Sequence, residues 1–138
     1  MGIEENKAAI RRFLSQEVFF GEGSLAVVDE LFAPDVVWRS PGNGAVLSFG
    51  TGVIKSELEM YKKEEGEIAI LEQIAEGESV ATRYTLSYTY TADEPTLPGE
   101  HIDSSGVTFS RFANGKIRNY FVVARNVQLV EERKVAHN

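Results

Sequence analysis

His101 and Asp103 stand two apart in an alternating stretch, which places both side chains on one face of a strand, where they can form an acid–base or hydrogen-bonded pair. A solvated or dimer-contact pair is the simpler reading of the same two residues. Arg83 is too basic to shuttle protons, so its chemical use is to bind an anionic or carbonyl oxygen such as an enolate or carboxylate. Against that stands a structural ion pair with Glu57 or Glu72. Tyr120 can donate to an oxyanion, although a buried tyrosine more often packs with one satisfied hydroxyl. Gly21-Glu22-Gly23-Ser24-Leu25-Ala26 fits a dinucleotide fingerprint by letters alone, but it follows a helical stretch instead of a strand and is rejected. Glu64-Glu65-Gly66-Glu67 and Glu131-Glu132-Arg133-Lys134 read as solvated ends of elements.

Composition narrows the chemistry. The chain has 138 residues with 43% hydrophobic and 25% charged, the mix of one globular domain spanning 1–138. With no cysteine and two histidines, the usual zinc sites, iron–sulfur clusters, thiol nucleophiles and disulfide frameworks are excluded. A net charge of −7 argues against nucleic acid as a partner, because neutralising phosphates needs clustered Lys and Arg. The acidic start Met1-Gly2-Ile3-Glu4-Glu5-Asn6 is unlike a secretory signal, and no apolar run is long enough to span a bilayer. The expectation is a cytoplasmic protein with no membrane partner and no cofactor.

These residues need elements to position them. Ile10, Phe13, Leu14 and Val18 recur at three- and four-residue steps, predicting one amphipathic helix over Glu4–Phe20, ended by Gly21 and Gly23. Ser24 can cap a short second helix carrying Leu25, Val28, Leu31 and Phe32, which Ala33-Pro34 stops. Val36-Val37-Trp38 reads as a strand running into the turn Ser40-Pro41-Gly42-Asn43-Gly44. A third helix is expected over Val53–Lys63, with Ile54, Leu58 and Tyr61 on one face. The second half alternates, with strands near 67–76, 79–91, 100–112 and 116–129 and a tight hairpin at Asn114-Gly115. Helices first and antiparallel strands later imply an α+β domain whose helices cover one face of the sheet.

The strand around 82–90 has two distinct faces. One carries Tyr84, Leu86, Tyr88 and Tyr90; the other carries Ala81, Arg83, Thr85, Ser87 and Thr89. If the polar set faces the helices it lines a cavity, and the tyrosine row becomes an outer interface for a homodimer. The opposing reading has the tyrosines in the core and Arg83 solvated.

Asn6-Lys7-Ala8-Ala9-Ile10-Arg11-Arg12-Phe13 and Val28-Asp29-Glu30-Leu31-Phe32-Ala33-Pro34-Asp35-Val36 begin a series of motifs. Ser40-Pro41-Gly42, the run Ala75 to Leu86, Ser105-Gly106-Val107 and Arg111-Phe112-Ala113-Asn114-Gly115-Lys116-Ile117 follow in order. Together they resemble the SnoaL-like polyketide cyclases, in the superfamily that includes nuclear transport factor two and ketosteroid isomerase. The resemblance implies a cone-shaped, curved, mostly antiparallel sheet wrapped around three N-terminal helices, enclosing a pocket and commonly dimeric through the sheet's outer face.

By that resemblance the inward set is Trp38 and Ser40, Arg83 and Thr85, Ser104, Gly106 and Thr108, then Tyr120, Val122 and Ala124, with Phe13 and Leu58 closing the pocket. The same parity turns His101 and Asp103 outward. The family's catalytic carboxylate positions are occupied by other residues. The isomerase-type base matches Ser40, the oxyanion-holding acid Thr108, the late-strand Asp Val122, and the hydrolase Asp Thr85. Glu17 and Asp35 remain as carboxylates that can reach the mouth. Two functions follow: proton-transfer or cyclisation chemistry on a small hydrophobic, carbonyl-bearing molecule, or non-catalytic binding of such a molecule. A structural dimerisation module, its cone filled by side chains, is the third.

Overall fold

The structure, a computed structural model, describes residues 2–40, 46–90 and 99–130, with the backbone alone at 46, 124, 125, 129 and 130. Residues 41–45 of the expected turn, the Glu131–Lys134 run and the side chain of Ala124 lie outside the described residues. The elements are α1 (Ile3–Phe13), α2 (Gln16–Phe20), α3 (Ala26–Leu31), β1 (Phe32–Ser40), β2 (Val46–Phe49), α4 (Gly52–Lys62), β3 (Glu65–Glu76), β4 (Ser79–Thr89), β5 (His101–Ala113) and β6 (Lys116–Val130).

The single helix expected over Glu4–Phe20 is two. Ser15 Oγ donates to the Arg12 carbonyl at 2.8 Å and accepts from the Val18 amide at 3.3 Å, so one side chain closes α1 and caps α2. Ser24 accepts from the Ala26 amide at 3.0 Å and starts α3, whose end at Leu31 passes directly into β1. The described residues therefore hold four short helices where three were expected, because a hydroxyl competed successfully for backbone groups in mid-pattern.

The α+β class and the curved sheet are as expected. The six strands run in the order β2-β1-β6-β5-β4-β3, antiparallel except for the β1–β6 pair. The β5–β6 hairpin turns through Asn114 and Gly115 at φ 52° and 78°, the two left-handed residues such a tight turn requires. At the β3 edge the Gln16 side chain acts as a short peptide. Its Nε2 donates to the Gly66 carbonyl at 2.7 Å and its Oε1 accepts from the Ile68 amide at 3.1 Å. That blocks the edge from pairing with another strand and docks α2 on the sheet.

The two faces of β4 are the reverse of the expectation. Tyr84, Leu86 and Tyr88 are buried beneath the helices and Tyr90 is half-buried, so this row is core and not an outer interface. Arg83 leaves the inward set, its guanidinium 3.2 Å from Glu72 with both side chains 54% exposed. Thr85 leaves it too. The cause lies in the ladder. Ser104 is opposite Leu86, Gly106 opposite Tyr84 and Thr108 opposite Thr82, so an inward Ser104 and Thr108 force the even-numbered residues of β4 inward with them. Burying two tyrosines and a leucine also removes far more apolar surface from water than burying Arg83 and Thr85.

Gly106 shows how tightly this register is held. A Cβ there would lie 2.7 Å from the Tyr84 hydroxyl oxygen and 2.8 Å from its Cζ. Gly106→Ala is therefore expected to cost about 1–3 kcal/mol through overpacking. Chemical denaturation measures it; an unchanged midpoint would mean that the Tyr84 ring does not lie on this strand.

Candidate functional site

The concave face of the sheet is built in rows of cross-strand partners. Trp38, Tyr120, Ser110 and Val80 form one row, and Val122, Thr108, Thr82 and Gln73 the next. Below them come Gly106 with Tyr84, then Ser104 with Leu86, then Ile102 with Tyr88. Helices α1 and α4 cover these rows with Ile10, Phe13, Ile54, Leu58 and Tyr61, all buried.

The walls are aromatic. Trp38 stacks on Tyr120 with centroids 4.8 Å apart and planes 12° from parallel, and Phe13 meets the other side of that cluster edge-on at 5.5 Å. Phe19, Tyr61 and Tyr88 continue it, at 5.3 Å and 5.4 Å between successive rings. Such contacts fix ring positions beyond what area burial alone would do.

The floor is polar. Between Ile102 and Phe112, every inward position of β5 is Ser104, Gly106, Thr108 or Ser110, where a core strand would ordinarily carry branched aliphatics. The hydroxyls of Ser104, Thr108 and Ser110 are buried and make no hydrogen bond within the protein. The same holds for both amide atoms of Asn6, fully buried on α1. An unpartnered buried polar group costs about 1–3 kcal/mol, so these four side chains are a costly polar patch within the hydrophobic core.

Tyr120 is the most strongly perturbed group. Burial raises its pKa well above a tyrosine's ordinary value, and the charges of Tyr84, Glu57 and Tyr61 raise it further, while nearby Thr108 lowers it. The Thr108 side chain is near enough to Tyr120 to offset part of that rise. Tyr120 stays protonated at neutral pH and can only be a hydrogen-bond donor or a weak acceptor there. Glu57, whose charge adds to that rise, is a carboxylate outside the family's usual positions. It is half-buried on α4, three residues after Ile54 and four before Tyr61. That spacing places it on the inward-facing side and was already visible in the sequence.

Of the residues expected in the site, the structure brings together Phe13, Trp38, Leu58, Ser104, Thr108, Tyr120 and Val122. Ser40, at the end of β1, is only half-buried, and Arg83 and Thr85 face outward. Missed were Thr82, Tyr84, Ser110, Asn6 and Glu57. The first two followed from the reversed face; Asn6 and Glu57 share helix faces with apolar neighbours but are polar, so the apolar pattern did not select them. Among the described residues no group of three or more His, Asp or Glu stands together to hold a metal, and no helix is long and apolar enough to cross a membrane.

Comparison with known proteins agrees with this architecture. A family profile described as a SnoaL-like domain matches residues 5–120. A protein provisionally assigned as a SnoaL-like polyketide cyclase, from Jannaschia sp. CCS1, superposes with a TM-score of 0.72 at 17% identity, covering 97% of this chain and 90% of that one. An NTF2-like protein of unknown function from Burkholderia pseudomallei K96243 gives 0.65 at 20% identity, covering 99% and 97%. An LEH-like epoxide hydrolase from M. tuberculosis gives 0.64 at 18%, covering 86% and 81%. No curated protein sequence matches significantly.

The electrostatic contact between Glu57 and Tyr120 can be read directly. Because the Tyr120 pKa is raised in the folded state, its contribution to stability is complete below about pH 10 and is lost as pH rises beyond it, when the unfolded chain releases the proton first. Glu57→Gln is expected to lower the Tyr120 pKa and to shrink this alkaline loss, read by tyrosinate absorbance and by denaturation at rising pH. A titration identical to wild type would place Glu57 outside the interior.

Proposed function

Because the chain belongs to the SnoaL-like family, we propose that it binds a small, largely apolar molecule bearing carbonyl or hydroxyl oxygens on the concave face of its sheet. The observation that supports this most is the β5 floor of buried, unpartnered hydroxyls facing an aromatic wall. A ligand with a ring body and oxygen substituents satisfies both surfaces at once: its rings pack against Trp38, Phe13 and Tyr61, and its oxygens take hydrogen bonds from Thr108, Ser104 and the protonated Tyr120.

A second reading adds proton-transfer chemistry, and Glu57 favours it. A carboxylate beside a neutral tyrosine donor is the pair that removes a proton next to a carbonyl and holds the resulting enolate oxygen. Binding is the better supported of the two, since it needs only the residues that line the floor.

Trp38 is the protein's one tryptophan, and its stacking on Tyr120 makes it a reporter. Titration with 1-tetralone, a fused-ring ketone probe, is expected to change Trp38 fluorescence saturably. Thr108→Val, which keeps the shape and removes the hydroxyl, is expected to weaken binding about tenfold while leaving the melting temperature unchanged or higher. Equal affinities in the two proteins would refute the hydroxyl floor as the binding surface. In heavy water the same probe reports the second reading, through α-deuteration that Glu57→Gln removes.

We propose a homodimer on residues other than those first expected. Ile74, Ala81, Phe109, Phe121, Arg39 and Leu47 are successive cross-strand partners and form an outward row across all six strands. Ile74 is 65% and Leu47 52% exposed, and Arg39 lies over the Phe121 ring at 5.8 Å. Ile74 and Leu47 close the two ends of the row, with Phe109 and Phe121 at its centre. A two-fold axis along the strands therefore packs Phe109 and Phe121 of one copy against those of the other. Sedimentation at micromolar concentration should give a dimer that Phe121→Asp converts to monomer; a wild-type monomer would remove this interface.

A further inference from the structure

The outer face at the other end of β4 and β5 carries groups that the interior reading leaves unused. Thr89 is the cross-strand partner of His101, and Ser87 the partner of Asp103. All four point outward, because the residues alternating with them, Tyr88 and Ile102, are buried. Thr89 Oγ1 lies 2.8 Å from His101 Nδ1, and His101 Nε2 lies 3.2 Å from Asp103 Oδ1. Ser87 Oγ donates to that same carboxylate oxygen at 2.8 Å.

The direction of these bonds follows from the carboxylate. An ionised Asp103 only accepts, so the ring nitrogen facing it, Nε2, carries the hydrogen. A neutral imidazole then has Nδ1 as its acceptor, and the hydrogen it takes is that of the Thr89 hydroxyl. The chain of bonds therefore runs from hydroxyl to imidazole to carboxylate, the order in which an adjacent base activates an oxygen nucleophile. Ser87 holds the carboxylate from its other side. Two open grooves border Ser87, His101 and Asp103, next to Thr89, one of about 420 Å³ lined by Glu65, Gly66, Glu67, Ser87 and His101. The second, about 400 Å³, includes Asp103, Ser105, Asn126 and Gln128.

We propose that Thr89, His101 and Asp103 form a second reactive site, an acyl-transfer centre for small esters and thioesters. Glu65, Glu67 and Asp103 give the grooves a negative rim, so substrates carrying an ammonium group are preferred over anionic ones. Thr89 Oγ attacks the carbonyl carbon and passes its proton to His101 Nδ1. The bond from carbonyl carbon to the leaving group then breaks, and the departing oxygen or sulfur takes the proton from Nδ1. Water repeats the sequence on acyl-Thr89, giving its proton to Nδ1; Thr89 Oγ leaves and recovers it, so ester and water become acid and alcohol. The backbone N–H groups of the paired strands point within the sheet, and the developing oxyanion is met by solvent. The expected reaction is accordingly slow, and the acyl-enzyme is its best readout.

The test uses the full chain with acetylthiocholine and with S-acetyl-3-mercaptopropionate, following thiol release and locating added acetyl groups by intact-mass and peptide mass spectrometry. Wild type is expected to carry one acetyl group on Thr89 and to release thiol about a hundredfold faster than Thr89→Val or His101→Gln, with acetylthiocholine the better substrate. Thr89→Ser retains the reaction and Asp103→Asn slows it. All these side chains are part-exposed, and unchanged melting curves verify that the variants are folded. Acetylation on lysines instead of Thr89, or equal rates in wild type and both knock-out variants, overturns the proposal.

Discussion

The pairing of β4 with β5 is the constraint on which the rest depends. Tyr84 lies across Gly106, and no residue with a side chain fits beneath that ring without displacing it. Because strand side chains alternate with a period of two, this one contact decides the facing of every residue on both strands. It turns Leu86 and Tyr88 into core, sets Thr82, Thr108 and Ser104 on the concave side, and sends Arg83, Ser87, His101 and Asp103 outward.

That facing creates an interior with two characters. One wall is the stacked aromatic cluster of Trp38, Tyr120, Phe13 and Phe32, which supplies the hydrophobic stabilisation. The other is the β5 run of small and hydroxylated residues, which contributes little to packing and leaves polar atoms buried without protein partners. A sequence selected for stability alone would fill these positions with valine or isoleucine. Serine and threonine there lower stability, and the proposed binding of an oxygen-bearing ligand is what would offset that cost.

The exterior is divided along the strands in a similar way. Toward the ends of β5 and β6 near their hairpin, Phe109 and Phe121 lie under arginines and form an apolar row with charged flanks. Toward the start of β5 the face is wholly polar, and its groups are joined by hydrogen bonds into one connected chain. The apolar row and the polar, hydrogen-bonded group thus occupy separate parts of one outer sheet face.

Composition and local pattern determined the class of this protein: one α+β domain, helices before strands, a hairpin at Asn114-Gly115, and the family to which its motifs belong. Helical spacing put Phe13 and Leu58 on apolar faces, and the family resemblance implied the inward placement of Trp38, Thr108 and Tyr120. What they left open was which side of β4 meets the helices, since a strand with tyrosines on one side and threonines and an arginine on the other is amphipathic in either orientation. Cross-strand partners decide that question, and they lie some twenty residues away along the chain. The break at Ser15 and Glu57 escaped because apolar periodicity is blind to polar residues: the partners of Ser15 lie three residues away along the chain, whereas the neighbour of Glu57 is brought to it by the fold.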